Sequence, residues 1–308
     1  MGKIGVFFKQ DGEMAYPFNS VYFYDSYRSL DEIFERYGQK LYILRGKENY
    51  LGDGVFKKYW LFEDGGLVQF NQEIKIDVVY DKGRFPFDDV KVLGGKKLND
   101  LCVDKRGVYE LFPTLSPRSV MVWDEEQFYS ELDGYGDESL VVLKPNFGAS
   151  GKGIVIDKKK YVREKVPDDL ENGYLVQEFL DSSCGVEGLV DGLHDLRIVV
   201  LNGEPILGVV RIPKEGTFIA NYSLGGSYFV VEPEKIPDGF LDVVWEIYDG
   251  IFRNAFDEVL VSFDMMMTSY GIKLIEINSS PGLPNKDSEI MDNYYEKLVE
   301  CLVGMAEG

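Results

Sequence analysis

Histidine is almost absent from this 308-residue chain; His194 is the single one. A mechanism built on an imidazole dyad or triad, or a histidine-rich metal centre, is left without its parts. Cysteine is scarce as well. Cys102, Cys184 and Cys301 are odd in number, widely spaced and fit no zinc pattern, so they read as reduced thiols of a cytoplasmic protein. Positive charge is outweighed: 33 Lys and Arg face 53 Asp and Glu, a formal net charge of −20. That balance argues against a nucleic-acid partner, which needs an excess of basic residues. A small anionic ligand is compatible only where cations gather locally. No apolar run approaches a membrane span, and the opening residues lack the pattern of a signal peptide. Gly2 fits no myristoylation motif, because Gly5-Val6 departs from the Ser/Thr preference. A homo-oligomer stays open. The chemistry falls to carboxylates, Lys, Arg, backbone amides and metal.

The composition is that of a soluble globular protein, 45% hydrophobic and 14% aromatic, long enough for about two domains. The first hundred residues read as mixed α/β, with strands over 3–8, 40–44 and 74–80 and a helix over 29–37. A helix is expected over 95–109, a strand over 119–123 and a capped helix over 124–132. Strands follow at 140–143, 153–156 and 174–180, then mainly strands from Asp195. Asn202-Gly203 marks a hairpin between 197–201 and 205–211; it puts 197 opposite 208 and Arg211 on the other face or beyond the pairing. Helices are expected over 240–256 and 286–305.

The most informative segment is 259–278. Two apolar runs flank Thr268-Ser-Tyr-Gly271, so it reads as a β-hairpin. Centred near Tyr270, the turn sets Asp264 directly opposite Glu276, and Asn278, two residues on, shares the face. Two carboxylates facing each other repel, and a cation between them removes the conflict. Three oxygen ligands suit a hard ion such as Mg²⁺. The small-residue loop Ser279-Ser-Pro-Gly-Leu-Pro284 follows at once.

A second segment, Lys144-Pro-Asn-Phe-Gly-Ala-Ser-Gly-Lys-Gly153, joins two strands. Its glycines let backbone N–H groups fold over phosphate oxygens. It is neither a Walker A loop nor a dinucleotide fingerprint, because the residue order differs and a strand follows. Lys144, ending an apolar strand, is costly to bury without an anion. Arg197 and Arg211 interrupt apolar runs, and their guanidinium forks suit phosphate or carboxylate oxygens.

The order Lys144-Pro, Gly148-Ala-Ser-Gly-Lys-Gly153, Gln177-Glu-Phe-Leu180, Asp195-Leu-Arg197, Asp264, Glu276-Ile-Asn278 and Pro281-Gly282 resembles the ATP-grasp superfamily. Within it the chain is most similar to ligases typified by the ribosomal-protein glutamate ligase, with a likeness to glutathione synthetase and tubulin–tyrosine ligase. The resemblance covers about residues 95–308. It implies an ATP-grasp fold of α/β and α+β class, with an N-terminal α/β pre-grasp domain (1–94) and two α+β subdomains (95–180 and 181–308) enclosing ATP.

By the same resemblance Lys105 and Lys144 reach the phosphates. The loop carrying Gly148, Ser150, Gly151 and Gly153 closes over them. Gln177, Glu178, Phe179 and Leu180 bind adenine, and Glu187 or Asp191 binds ribose. Arg197, Arg211 and Asn221 surround the transferring phosphate and the intermediate, and Asp264, Glu276 and Asn278 hold Mg²⁺, as two ions, with Mn²⁺ able to stand in. The implied reaction is ATP-dependent carboxylate–amine ligation through an acyl phosphate, on small-molecule carboxylate and amine substrates or a peptide. An ATP-grasp phosphotransferase and a non-catalytic nucleotide-binding scaffold are the alternatives.

Overall fold

In the computed structural model, residues 2–12, 15–148, 151–220, 224–283 and 289–308 are described. Short apolar runs separated by glycine turns give three principal sheets. The first has six strands in the order Gly66–Phe70, Tyr59–Glu63, Leu41–Arg45, Ile4–Phe8, Val78–Asp81 and Lys91–Leu93. Its four central and edge strands from Leu41–Arg45 to Lys91–Leu93 run parallel. The expected strand over 74–80 is two pieces, because Ile74–Lys75 pairs instead in a small separate sheet. The expected helix over 29–37 begins earlier and spans Val21–Arg36.

The second sheet is antiparallel, in the order Ser119–Val122, Tyr174–Glu178, Leu140–Pro145, Val155–Lys158. The third is antiparallel too: Ser227–Val231, Glu204–Ile212, Asp195–Leu201, Leu260–Thr268, Gly271–Asn278. The expected helix over 95–109 is broken into Gly95–Val103 and Lys105–Leu111. Asp104 breaks it: its backbone is extended, and its side chain caps the second helix by accepting from Gly107 N. The helix expected over 240–256 is Asp238–Ile247 followed by one π-helical turn, Tyr248–Phe252.

The terminal helix Glu289–Glu307 buries Met291, Tyr294, Tyr295 and Leu298 in one core with Ile4, Val6 and Phe8 of the first sheet and Val199 and Leu207 of the third. The other face of the third sheet packs on Leu98, Val108 and Phe240 from three helices. The second sheet has a core of its own with Phe128 and Leu132. Among the described residues no helix is long and apolar enough to cross a membrane.

Candidate active site

The hairpin places Asp264 opposite Glu276, as the sequence pattern requires. It does so with an extra residue. Thr268 pairs with Gly271 and Met265 with Leu274, so Ile275 is the bulge that carries Glu276 into line. The Ile275 carbonyl accepts from the Tyr109 hydroxyl, which ties helix Lys105–Leu111 to the bulge.

A second bulge corrects the expected position of the arginines. The register slips between Val199 and Val200, with Ile206 as the extra residue, so Arg197 lies opposite Val209 rather than Gly208, and Arg211 lies opposite Asp195. Both guanidiniums therefore share one face and meet Asp264. Arg197 donates through Nε to Oδ1 and through Nη2 to Oδ2, both at 2.7 Å. Arg211 donates to Asp264 Oδ2 at 2.7 Å and grips Asp195 with its fork. Burial would raise the Asp264 carboxyl, but Arg197 and Arg211 outweigh it and hold it far below the usual range. Burial pushes Asp195 up to about 6 against the pull of Arg211. The repulsion inferred from sequence is thus met first by the protein's own cations.

Glu276 faces Lys105, Nζ to Oε1 3.5 Å. Lys105 is the first residue of its helix and is buried, its ammonium donating to the carbonyls of Asn146 at 3.2 Å and Gly148 at 2.9 Å. It therefore sits under the start of the glycine-rich loop, in which Gly151 and Gly153 take positive φ values of 72° and 77°. Lys144 ends its strand 4% exposed and donates to the Tyr109 hydroxyl, with its ammonium 4.8 Å from that ring's centre. Burial pulls its proton affinity down to about 8.

One cavity of about 430 Å³ lies between the second and third sheets, with Lys144 and Gly151 on one wall and Arg197, Arg211, Asp264, Glu276 and Asn278 on the other; Lys105 lies outside it, in an adjoining recess with Lys144 and Gly148. Gln177, Glu178, Phe179 and Leu180 border the cavity where strand Tyr174–Glu178 ends. The Glu178 carboxylate accepts from Arg118 N at 2.7 Å, and Phe179 meets Phe218 edge to face. A wider, more open cleft of about 1040 Å³ beside Lys91, Arg253 and Met305 contains none of the expected residues.

Glu187 is not brought to the cavity. It is exposed at the tip of a turn closed by Val186 and Val190, with Asp191 just outside. His194 is buried, its ring bracketed by Gly192 O and Met267 N. Ser150 and Asn221 lie outside the described residues. Two participants were not singled out by pattern. Tyr109 falls one helical turn after Lys105 and so on the same face, and Asp195 falls two before Arg197 on a strand.

Among the described residues no three His, Cys, Asp or Glu side chains cluster as a metal site; the candidate set is two carboxylates and an amide. Asn278 Nδ2 approaches Asp264 Oδ2 at 3.4 Å, so all three side chains converge. Their oxygens are the donors a hard divalent cation takes, and the set fits Mg²⁺. Members of the ATP-grasp ligase group use ATP and Mg²⁺ in general.

The chain is 26% identical over 193 residues to the coenzyme gamma-F420-2:alpha-L-glutamate ligase of Methanocaldococcus jannaschii, covering 62% of each. It is 30% identical over 146 residues to a probable alpha-L-glutamate ligase of Thioalkalivibrio sulfidiphilus, covering 46% of this chain and 43% of that one. The chain thus spans about two-fifths to three-fifths of the length of these curated relatives. The D-alanyl-alanine synthetase A of Vibrio cholerae superposes over the whole of both chains with a TM-score of 0.67 at 16% identity, a likeness of fold. The model of the RimK-like ATP-grasp domain matches residues 113–302, from just after helix Lys105–Leu111 through the glycine-rich loop and the carboxylate hairpin into the terminal helix, and the chain belongs to that family.

Proposed function

We propose that this protein is an ADP-forming carbon–nitrogen ligase, joining the carboxylate of one substrate to the amine of another through an acyl phosphate. The observation that carries the reading is the cavity itself. It sets Lys144, beside Gly151 of the glycine loop, against the Asp195–Arg211–Asp264–Arg197 array and Glu276.

A carboxylate is a poor electrophile, since oxide would have to leave. Its oxygen instead attacks the ATP γ-phosphorus and ADP departs. The amine then attacks the acyl carbon, loses a proton, and phosphate departs. Such phosphoryl transfer is mostly positioning and charge neutralisation. Lys105 and Lys144 take the phosphate oxygens, and the strand end at Gln177–Leu180 takes the adenine edge. Arg211 and Arg197, fixed by Asp195 and Asp264, stabilise the oxyanion formed on amine attack. The loop Gly148–Gly153 excludes water from the acyl phosphate. Asp264, Glu276 and Asn278 would hold Mg²⁺, as two ions, or Mn²⁺, which supplies further neutralisation of phosphate charge when bound.

We read the chain as three units, 1–94, 95–180 and 181–308, acting on an amino acid or peptide in the cytoplasm. The free cysteines fit that compartment. The test is ADP release with Mg-ATP and pairs of carboxylic acids and amines. Release that requires both partners supports the ligase. Release with a carboxylate or other acceptor alone, leaving a stable phosphorylated product, supports a phosphotransferase instead. No release, with nucleotide bound, would leave only a scaffold.

A further inference from the structure

Two cations lie outside every role assigned above, at the carboxyl ends of the parallel strands of the first sheet. Arg45 pairs with Phe8, and Lys82, one residue beyond Val78–Asp81, donates its backbone N–H to Phe7 O at 3.0 Å. Arg45, Phe8 and Lys82 thus stand in neighbouring strands of one row. Their side chains share a face: the Arg45 guanidinium lies 6.0 Å from the Phe8 ring centre, and the Lys82 ammonium 5.3 Å from that of Tyr80, which belongs to the same core as Phe8.

Neither cation has a carboxylate partner among the described residues. Arg45 is wholly buried; it donates to Tyr16 O at 3.1 Å, while its Nε and Nη1 reach no acceptor. Lys82 donates to the Pro281 carbonyl at 2.5 Å. The side chain is partly buried, its ammonium over the Tyr80 ring. Burial pulls the ammonium down to about 7; Asp81 opposes that pull and Arg197 adds to it.

Both cations adjoin the cavity. Tyr16 lines it, as do Ser280 and Gly282 on either side of Pro281. Lys105 and Lys144 share a recess with Gly148 and Glu276 that none of Tyr16, Ser280 and Gly282 lines. Lys82 therefore adjoins the cavity at the Pro281 loop rather than at the phosphate lysines. A part-buried ammonium held by one carbonyl and no carboxylate is costly unless an anion comes to it. Parallel strands also gather ligands at their carboxyl ends. We propose that Lys82, backed by the positive potential of Arg45, receives the unreacting α-carboxylate of an amino-acid substrate. The inference rests on the ligase reading. A carboxylate fits better than a second phosphate, because the phosphate lysines are elsewhere and the Tyr16 side chain lines the cavity as an apolar wall for a carbon skeleton.

The test scores ADP release by the intact protein with Mg-ATP over the twenty common L-amino acids, each as free acid and as α-carboxamide, singly and in pairs. At least one free acid is expected to support release, with the KM of its carboxamide tenfold or more higher. Lys82→Met is expected to shrink that acid-to-amide ratio at least tenfold, while Lys82→Arg, which keeps the charge, retains most of it. Thermal shift by Mg-ADP shows that each variant is folded and binds nucleotide. A wild type that uses acids and amides alike, or a Lys82→Met protein with the full preference, overturns this inference and leaves the ligase reading standing. Silence towards every acid and amide, with Mg-ADP still bound, overturns this inference, and the ligase reading falls only if the wider set of carboxylic acids, peptides and amines is silent as well.

Discussion

Asp264 and Glu276 face each other across the hairpin, yet they are held in different ways. Asp264 is 2% exposed and locked between two guanidiniums, whereas a quarter of the Glu276 side chain is exposed and it meets one ammonium at 3.5 Å. Removing one member of a buried charge cluster strands the others, at a cost of about 3–5 kcal/mol; a half-open pair contributes about 1 kcal/mol or less. Asp264→Asn is therefore expected to lose both stability and turnover. Glu276→Gln is expected to keep its urea midpoint close to wild type while turnover falls on the order of a hundredfold. Unchanged ADP release by Glu276→Gln would remove Glu276 from the metal set. Lys144 gives a pH test with a definite sign. Its ammonium titrates near 8 in the folded protein against an ordinary 10.5. Between those values the unfolded chain binds more protons, so stability rises with pH across that window. Below pH 8 the ammonium is charged in both states and the full burial cost is present. Without nucleotide, urea unfolding of wild type minus Lys144→Met should therefore climb by on the order of 2–3 kcal/mol from pH 7.5 to 10.5. Nucleotide affinity should fall as the pH passes 8, since phosphate needs the charged form.

At the scale of elements, two bulges decide what the sequence reveals and what it conceals. Period-two alternation exposes a hairpin over 259–278, and Asp264 and Glu276 emerge as partners because strand face follows residue parity. The same parity misplaces Arg211. One inserted residue, Ile206, inverts the count between Asn202-Gly203 and the site; Pro205 and Gly208 hint at an irregular strand, but neither says which residue is inserted. Asp104 hides its helix break in the same way, because an aspartate is as common on a helix surface as at a cap. In the first sheet, Arg45 and Lys82 meet only through parallel pairing of strands far apart in sequence, which no local pattern encodes. Tyr109 is the strut between these elements, receiving Lys144 and donating to the bulged Ile275 carbonyl. Tyr109→Phe keeps the ring under the ammonium but orphans both partners, so a loss of about 1–3 kcal/mol is expected. Urea denaturation measures it, and a raised KM for ATP should accompany it as Lys144 loses its tether. A variant as stable as wild type would show that the strut carries no weight.

For the whole molecule, a net charge of −20 attracts divalent cations everywhere on the surface, so a specific metal site must be separated from that background. The site's own geometry supplies the separation. Both oxygens of Asp264 already accept from Arg197 and Arg211, and Glu276 already faces Lys105. A lone cation entering there competes with three resident positive charges. Phosphate oxygens change the balance, because they draw Lys105 and the arginines towards themselves and add negative charge beside the carboxylates. Metal and nucleotide should therefore bind with positive coupling, and linkage requires the coupling to be equal in both directions. Titration with Mn²⁺, followed by its paramagnetic signal, is expected to give weak, salt-sensitive binding to the protein alone. Affinity should rise tenfold or more with a non-hydrolysable ATP analogue, after correction for Mn²⁺ bound by free analogue. Glu276→Gln should abolish the gain while leaving the weak background in place. Tight Mn²⁺ binding without nucleotide, unaffected by Glu276→Gln, would place the metal somewhere other than this hairpin.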